Sequence, residues 1–234
     1  MSCEDEHHHG DGHGHEEHLH VAPVPTNASQ SLHSKIDLPH VTALNMSNPP
    51  DELEKIFRKS SDKYKLKPVI SSDCDAQMII NIPFLNGSVK LYSITLRTNG
   101  DNYCPKTLKL FKNDKSVDFD NVEAKKSTYT LDHPQVGAMY EEDQIPESIE
   151  QDGDFVEHYL PRHKFTGVQH LTIFIQDIYE EDEDTDESRL HYIDLRGEFT
   201  HLNKDPVISL YELAANPADH KNLTQAETTN FSLP

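Results

Sequence analysis

Cysteine is scarce in this sequence: Cys3, Cys74 and Cys104 are the whole complement, odd in number and far apart. That spacing supports no disulfide framework and predicts reduced thiols. A dithiol redox enzyme needs Cys-x-x-Cys so that a second thiol can resolve the mixed disulfide, and no such pair occurs. Cys74 stands between Asp73 and Asp75, whose charges discourage a thiolate. Positive charge is scarce as well, with 21 Lys and Arg against 41 Asp and Glu and a formal net charge of -20. Such a field repels a phosphate backbone and disfavours an anionic bilayer surface, so neither nucleic acid nor membrane is expected as a partner. No apolar run reaches the ~18 residues that a membrane-spanning helix needs. The first twenty residues hold Asp, Glu and His where a secretory signal has an apolar core, which points to the cytoplasm and nucleus. Without secretion, the sequons at Asn27, Asn86 and Asn222 read as turn and cap residues.

Catalytic signatures are missing in the same way. His-Glu-x-x-His, paired Cys/His motifs, Gly-x-Ser-x-Gly and a Gly-rich phosphate loop are all absent from the part of the sequence able to fold. His133, His158, His163, His170, His191, His201 and His220 are scattered and read as surface or hydrogen-bonded residues. The acidic runs Glu141 to Asp154 and Glu180 to Glu187 lack the alternation of a calcium-binding loop and read as solvated, self-repelling segments, the first of them a mobile loop. No catalytic, cofactor-binding or metal-ligating residue is therefore nominated, no cofactor is expected, and the chain is not expected to be an enzyme.

What the sequence does contain is a polar, His-rich start followed by short apolar runs. Seven of the sixteen histidines fall before Val21, interleaved with Gly and acids. Such a segment has little to bury and presents metals with no fixed geometry. Residues 1–30 are read as a disordered tail and linker, 31–222 as the domain, and 223–234 as a second tail. Asn48-Pro49-Pro50-Asp51 predicts a short helix capped by Asn48, with Leu53, Ile56 and Phe57 on its buried face. Strands are predicted at Val69-Ile70, Met78 to Phe84, Val89 to Arg97, Leu108 to Asn113, Tyr129 to Leu131 and Leu171 to Ile175. Asn86-Gly87 between two of them reads as a hairpin turn. With no repeat at a solenoid period and no long amphipathic helix, the spacing predicts an all-β antiparallel sandwich.

The stretch from Arg189 to Lys221 organises the rest, as strands at Leu190 to Leu195 and Val207 to Leu213 around a turn at Asn203 to Pro206. Leu190 and Tyr192 face one way and Ile193 and Leu195 the other, so the first strand is either buried on both faces or bulged. Gly197 marks a bulge or a close backbone approach, with Arg196 and Glu198 free to pair with each other or with nearby backbone.

Leu195-Arg196-Gly197-Glu198-Phe199 and Ala215 to Lys221 resemble the PITH domain, which occurs behind a thioredoxin half and also alone. So do Lys35-Ile36-Asp37-Leu38, Ile82-Pro83-Phe84, Val89-Lys90-Leu91, Leu108 to Asn113 and Asp118-Phe119-Asp120. The chain looks like the stand-alone kind, and the thioredoxin activity does not carry over. The resemblance implies a jelly roll similar to galactose-binding domains, and a non-enzymatic module that docks on the 26S proteasome. Two other functions are open at this point: a glycan-like ligand held at one loop end of the sandwich, and metal buffering by the His-rich tail. Oligomeric state is left open.

Overall fold

The computed structural model describes residues 24–179 and 186–202. Contacts divide the chain after His201 into Met1–His201 and Leu202–Pro234, and of the second unit only the exposed Leu202 is described. The His-rich tail, the strand expected at Val207 to Leu213, the Ala215 to Lys221 motif, His220 and most of the Glu180 to Glu187 run lie outside the described residues.

Nine strands occur among the described residues: β1 (Thr42–Leu44), β2 (Ile70–Ser71), β3 (Met78–Pro83), β4 (Gly87–Thr98), β5 (Thr107–Lys112), β6 (Tyr129–Asp132), β7 (Phe155–Tyr159), β8 (His170–Ile175) and β9 (Arg189–His201). They form a five-stranded sheet in the order β1-β3-β8-β5-β6 and a four-stranded sheet in the order β2-β9-β4-β7. Every pairing in both sheets is antiparallel. The fold is an all-β jelly-roll sandwich, as expected.

Alternation explains which residues meet between the sheets. Met78, Ile80 and Ile82 of β3 lie opposite Ile175, Ile173 and Leu171 of β8, and all six belong to one buried cluster. Ile94 and Leu96 of β4, opposite Leu195 and Ile193 of β9, enter the same cluster from the other sheet. Each such side chain contributes roughly 1.5–3 kcal/mol when fully buried.

The Asn86-Gly87 turn does not close a hairpin. β3 and β4 belong to different sheets, so the turn carries the chain across the sandwich. Asn86 takes a positive φ of 24°, the local conformation the dipeptide favours, but Pro83 ends β3 and alternation aims both strands' apolar rows inward from opposite sides.

β9 resolves its phase conflict in both of the ways anticipated. Arg189 to Leu195 are all buried, and the register skips His191, since Arg97 faces Tyr192 while Thr98 faces Leu190. A second skip leaves Tyr92 of β4 unopposed, because Leu91 faces Gly197 and Ser93 faces Arg196. Gly197 marks a close backbone approach: a Cβ there lies 2.2 Å from the Lys90 carbonyl oxygen.

The expected helix forms as α1 (Pro50–Leu53), continued by a 3-10 turn at Glu54–Ile56, with Leu53, Ile56 and Phe57 buried. Asn48 is not its cap. Its side chain instead donates to the Val69 carbonyl at 2.8 Å and accepts from Ser71 N–H at 2.9 Å, stitching the start of β2 to this turn.

Candidate functional site

The side of the four-stranded sheet away from the core is unusually charged for a covered surface. Alternation places Ser93, Thr95 and Arg97 of β4 there, beside Glu157 of β7 and Asp194 and Arg196 of β9. Arg97 is 0% exposed. Its guanidinium donates to Asp154 Oδ2 at 2.7 Å and to the carbonyls of Tyr64 and Ile149 at 2.9 and 2.8 Å, and it lies over the Phe155 ring, 4.9 Å from its centre. Arg58 donates to the carbonyls of Lys65 and Lys67. The bulge at His191 turns that ring into the same region, where Nδ1 lies 2.9 Å from the Leu66 carbonyl oxygen and Nε2 lies 2.7 Å from Asn99 Oδ1 and 3.0 Å from the Tyr140 hydroxyl. Burial holds the His191 pKa down to about 4, so the ring is neutral.

These bonds fasten the segments around Tyr64 and Ile149 onto the sheet. The acidic stretch from Glu141 to Asp154 is accordingly no free loop. Leu66 N–H donates to the Glu147 carbonyl, Ile149 N–H donates to the Tyr64 carbonyl, Asp152 accepts from Lys63 at 2.6 Å, and Asp154 is buried. A count of acidic residues is blind to a buried arginine that takes one of them inside. Further along the face, Arg196 pairs with Asp194 at 3.1 Å and Glu157 at 3.4 Å, and Ser31 donates to Asp194 at 2.7 Å. Its partner is not Glu198, which is exposed; Asp194 and Glu157 occupy the guanidinium first.

Two histidines that are 25 residues apart also meet. His133 Nδ1 and His158 Nε2 are 2.8 Å apart, Thr98 Oγ1 is 3.2 Å from His133 Nε2, and Cys104 Sγ is 3.5 Å from Thr98 Oγ1. Burial, reinforced by His158, holds the His133 pKa down to about 3, and burial pushes the Cys104 thiol up. The arrangement is a neutral hydrogen-bonded chain with no thiolate. Exposed Cys74 is also held in the thiol form, since its hydrogen bond to Asp73 pushes its pKa up. Among the described residues no group of three or more His, Cys, Asp or Glu is placed to hold a metal ion.

The five-stranded sheet has a different outer side. One half is closed by an apolar patch of Ile79, Phe111, Val117, Val122 and Phe174, with Phe119 edge-on to Phe174. The other half is a groove. One hollow of about 420 Å³ is lined by Asp37, His40, Thr42, Asn81 and Pro83, and a second of about 340 Å³ by Asn113 and Gln169; Lys115 and His170 line both. None of these residues was singled out as a site from sequence. For Arg97 a signal did exist, an arginine inside an apolar strand, whereas Lys115 sits in an ordinary turn that offered none.

The structure defines a class first: a two-sheet antiparallel sandwich. The chain belongs to the PITH domain family, whose model matches residues 22–215. It is 31% identical over 210 residues to PITH domain-containing protein 1 of Danio rerio, covering 89% of this chain and 90% of that protein. The Homo sapiens protein of the same name is 29% identical over 202 residues, covering 86% and 85%. Among solved structures, CBM32-3 from a family 31 glycoside hydrolase of Clostridium perfringens superposes with a TM-score of 0.44 at 10% identity, over 75% of this chain and 99% of that one. The family 32 carbohydrate-binding module from Streptococcus pneumoniae EndoD gives a TM-score of 0.44 at 10% identity, over 70% and 99%. Neither is close enough to bring a ligand with it.

Proposed function

We propose that this chain is a non-enzymatic interaction module of the cytoplasm and nucleus that docks on the 26S proteasome. The observation that carries the reading is membership of the PITH family across residues 22–215, since resemblance to that domain implies proteasome docking. The chemistry of the sandwich agrees with it. The buried Arg97 and Asp154 are bonded to each other, and Arg97 and His191 to backbone carbonyls, which is the work of a scaffold. The net charge of -20 favours encounter with a basic partner surface and speeds association at low salt.

Affinity capture from native lysate tests the proposal. Tagged full-length chain is expected to retain proteasome subunits in amounts that fall as salt is raised. Recovery at the level of an unrelated acidic protein of similar size removes the reading.

A further inference from the structure

The groove on the outer side of the five-stranded sheet holds three groups that point to one kind of ligand. His170 is 7% exposed, and its Nδ1 has no hydrogen-bond partner although the ring lines both hollows. A buried imidazole nitrogen left unpaired costs about 1–3 kcal/mol, so a site that keeps one is built to receive a partner. Thr172 Oγ1 donates to Asn81 Oδ1 at 2.8 Å, which fixes that amide with its carbonyl engaged and its NH2 end available. Lys115 is exposed at the rim shared by the two hollows. Ammonium and amide N–H are donors, and the imidazole donates as well in the tautomer that carries its proton on Nδ1.

The lining separates into two chemistries. The smaller hollow, bounded by Asn113, Lys115, Gln169 and His170, contains no carboxylate. Asp37 lies in the larger one, where His40 Nδ1 stands 3.0 Å from its Oδ1. The other nearby acid, Asp114, is turned to Lys125 at 2.8 Å. In a chain with a net charge of -20, a hollow with a cation and no acid is a local reversal of sign. The backbone there is rigid, because Asn113 Oδ1 accepts from the N–H groups of Gln169 at 2.8 Å and His170 at 3.2 Å.

We propose that this groove is an oxyanion site, in which a phosphate or carboxylate group sits between Lys115 Nζ and His170 Nδ1 while the rest of the ligand extends past Asn81 toward Thr42. This goes beyond proteasome docking and stands or falls separately from it. The ionisable groups facing His170 are Lys115 and, more weakly, Asp114, with Asp37 and His40 across the groove. Burial and then Lys115 lower its pKa. A bound anion opposes both effects and raises it.

The test is a titration of the isotopically labelled full chain with inorganic phosphate, followed by NMR at constant ionic strength, with EDTA present to keep metal off the amino-terminal histidines. Saturable shifts at Lys115, Gln169 and the His170 ring are expected, with a rise in the His170 pKa. Lys115→Ala weakens binding at least tenfold, and Gln169→Glu, which adds a like charge at the exposed rim, weakens it as well. Acetate and a phosphoserine tripeptide distinguish the source: a peptide tighter than free phosphate identifies a protein-borne group, and equal affinities a free anion. Shifts that chloride reproduces, or a Lys115→Ala chain that titrates like the parent, overturn the proposal.

Discussion

The outer sides of the two sheets solve the same problem in opposite ways. Over the four-stranded sheet, loops bring down charged partners for charged strand residues, and Arg97 finds Asp154 and two carbonyls. Over the five-stranded sheet, half the surface is closed by aliphatic and aromatic packing around Phe174, and the other half is a groove in which the buried His170 Nδ1 has no partner. Removing one member of a matched set leaves the other stranded, whereas removing a rim residue strands nothing. The covered charged face is where the molecule resists change, and the open groove is where it tolerates it.

The largest blow to that contrast comes at Arg97. Arg97→Met leaves Asp154 buried without its cation and is expected to destabilise by about 3–5 kcal/mol in urea denaturation. A loss below about 1 kcal/mol would mean the two faces are equivalent. Acid acts on the same face with a similar reach. Unfolded His191 takes up a proton near pH 6.5, while the folded ring refuses it until about pH 4. Its stabilisation is therefore complete above pH 6.5 and declines as pH falls toward 4, by on the order of 3 kcal/mol. His133, held down to about 3, shifts stability in the same direction. Thermal melts between pH 7 and 4 read this out, and His191→Gln should flatten the curve.

Gly197→Ala forces a methyl against the Lys90 carbonyl where β4 and β9 pair and is expected to cost about 1–3 kcal/mol by thermal melt. On the other sheet, Phe119→Ala removes a 38% exposed ring from its edge contact with Phe174, and a loss of about 1 kcal/mol is expected. The smallest effect belongs to Lys115→Ala, within about 0.5 kcal/mol of the parent, since the lysine is exposed. A larger destabilisation there would show that the groove is load-carrying structure and erase the difference between the faces.

Much of the sandwich was legible because its strands alternate cleanly. Leu171, Ile173 and Ile175 announce a buried row, and the conflicting phase of Leu190, Tyr192, Ile193 and Leu195 announces the bulge found at His191. What sheet a strand joins is not local information. Asn86-Gly87 has the chemistry of a tight turn whether the chain doubles back or crosses over, and only β8 and β9, far downstream, decide which. β7 escaped notice because Phe155, Glu157 and Tyr159 alternate with Val156 and His158, and a histidine in an inward position reads as polar until His133 arrives to pair with it. The candidate site was less legible still. Lys115, Asn81 and His170 are ordinary residues on separate elements, and only the register of Pro83 against His170 and Asn81 against Thr172 brings them to one groove.

The crossing at Asn86-Gly87 also has a consequence during synthesis. The neighbouring strands of β4 are β7 and β9, which begin at Phe155 and Arg189, and β3 waits for β8 at His170 apart from its short pairing with β1. An emerging chain thus holds a twelve-residue strand without a neighbour until the ribosome has made more than half the protein. Assembly has to come late and nearly all at once, and for that interval the exposed strand is a natural client for a chaperone.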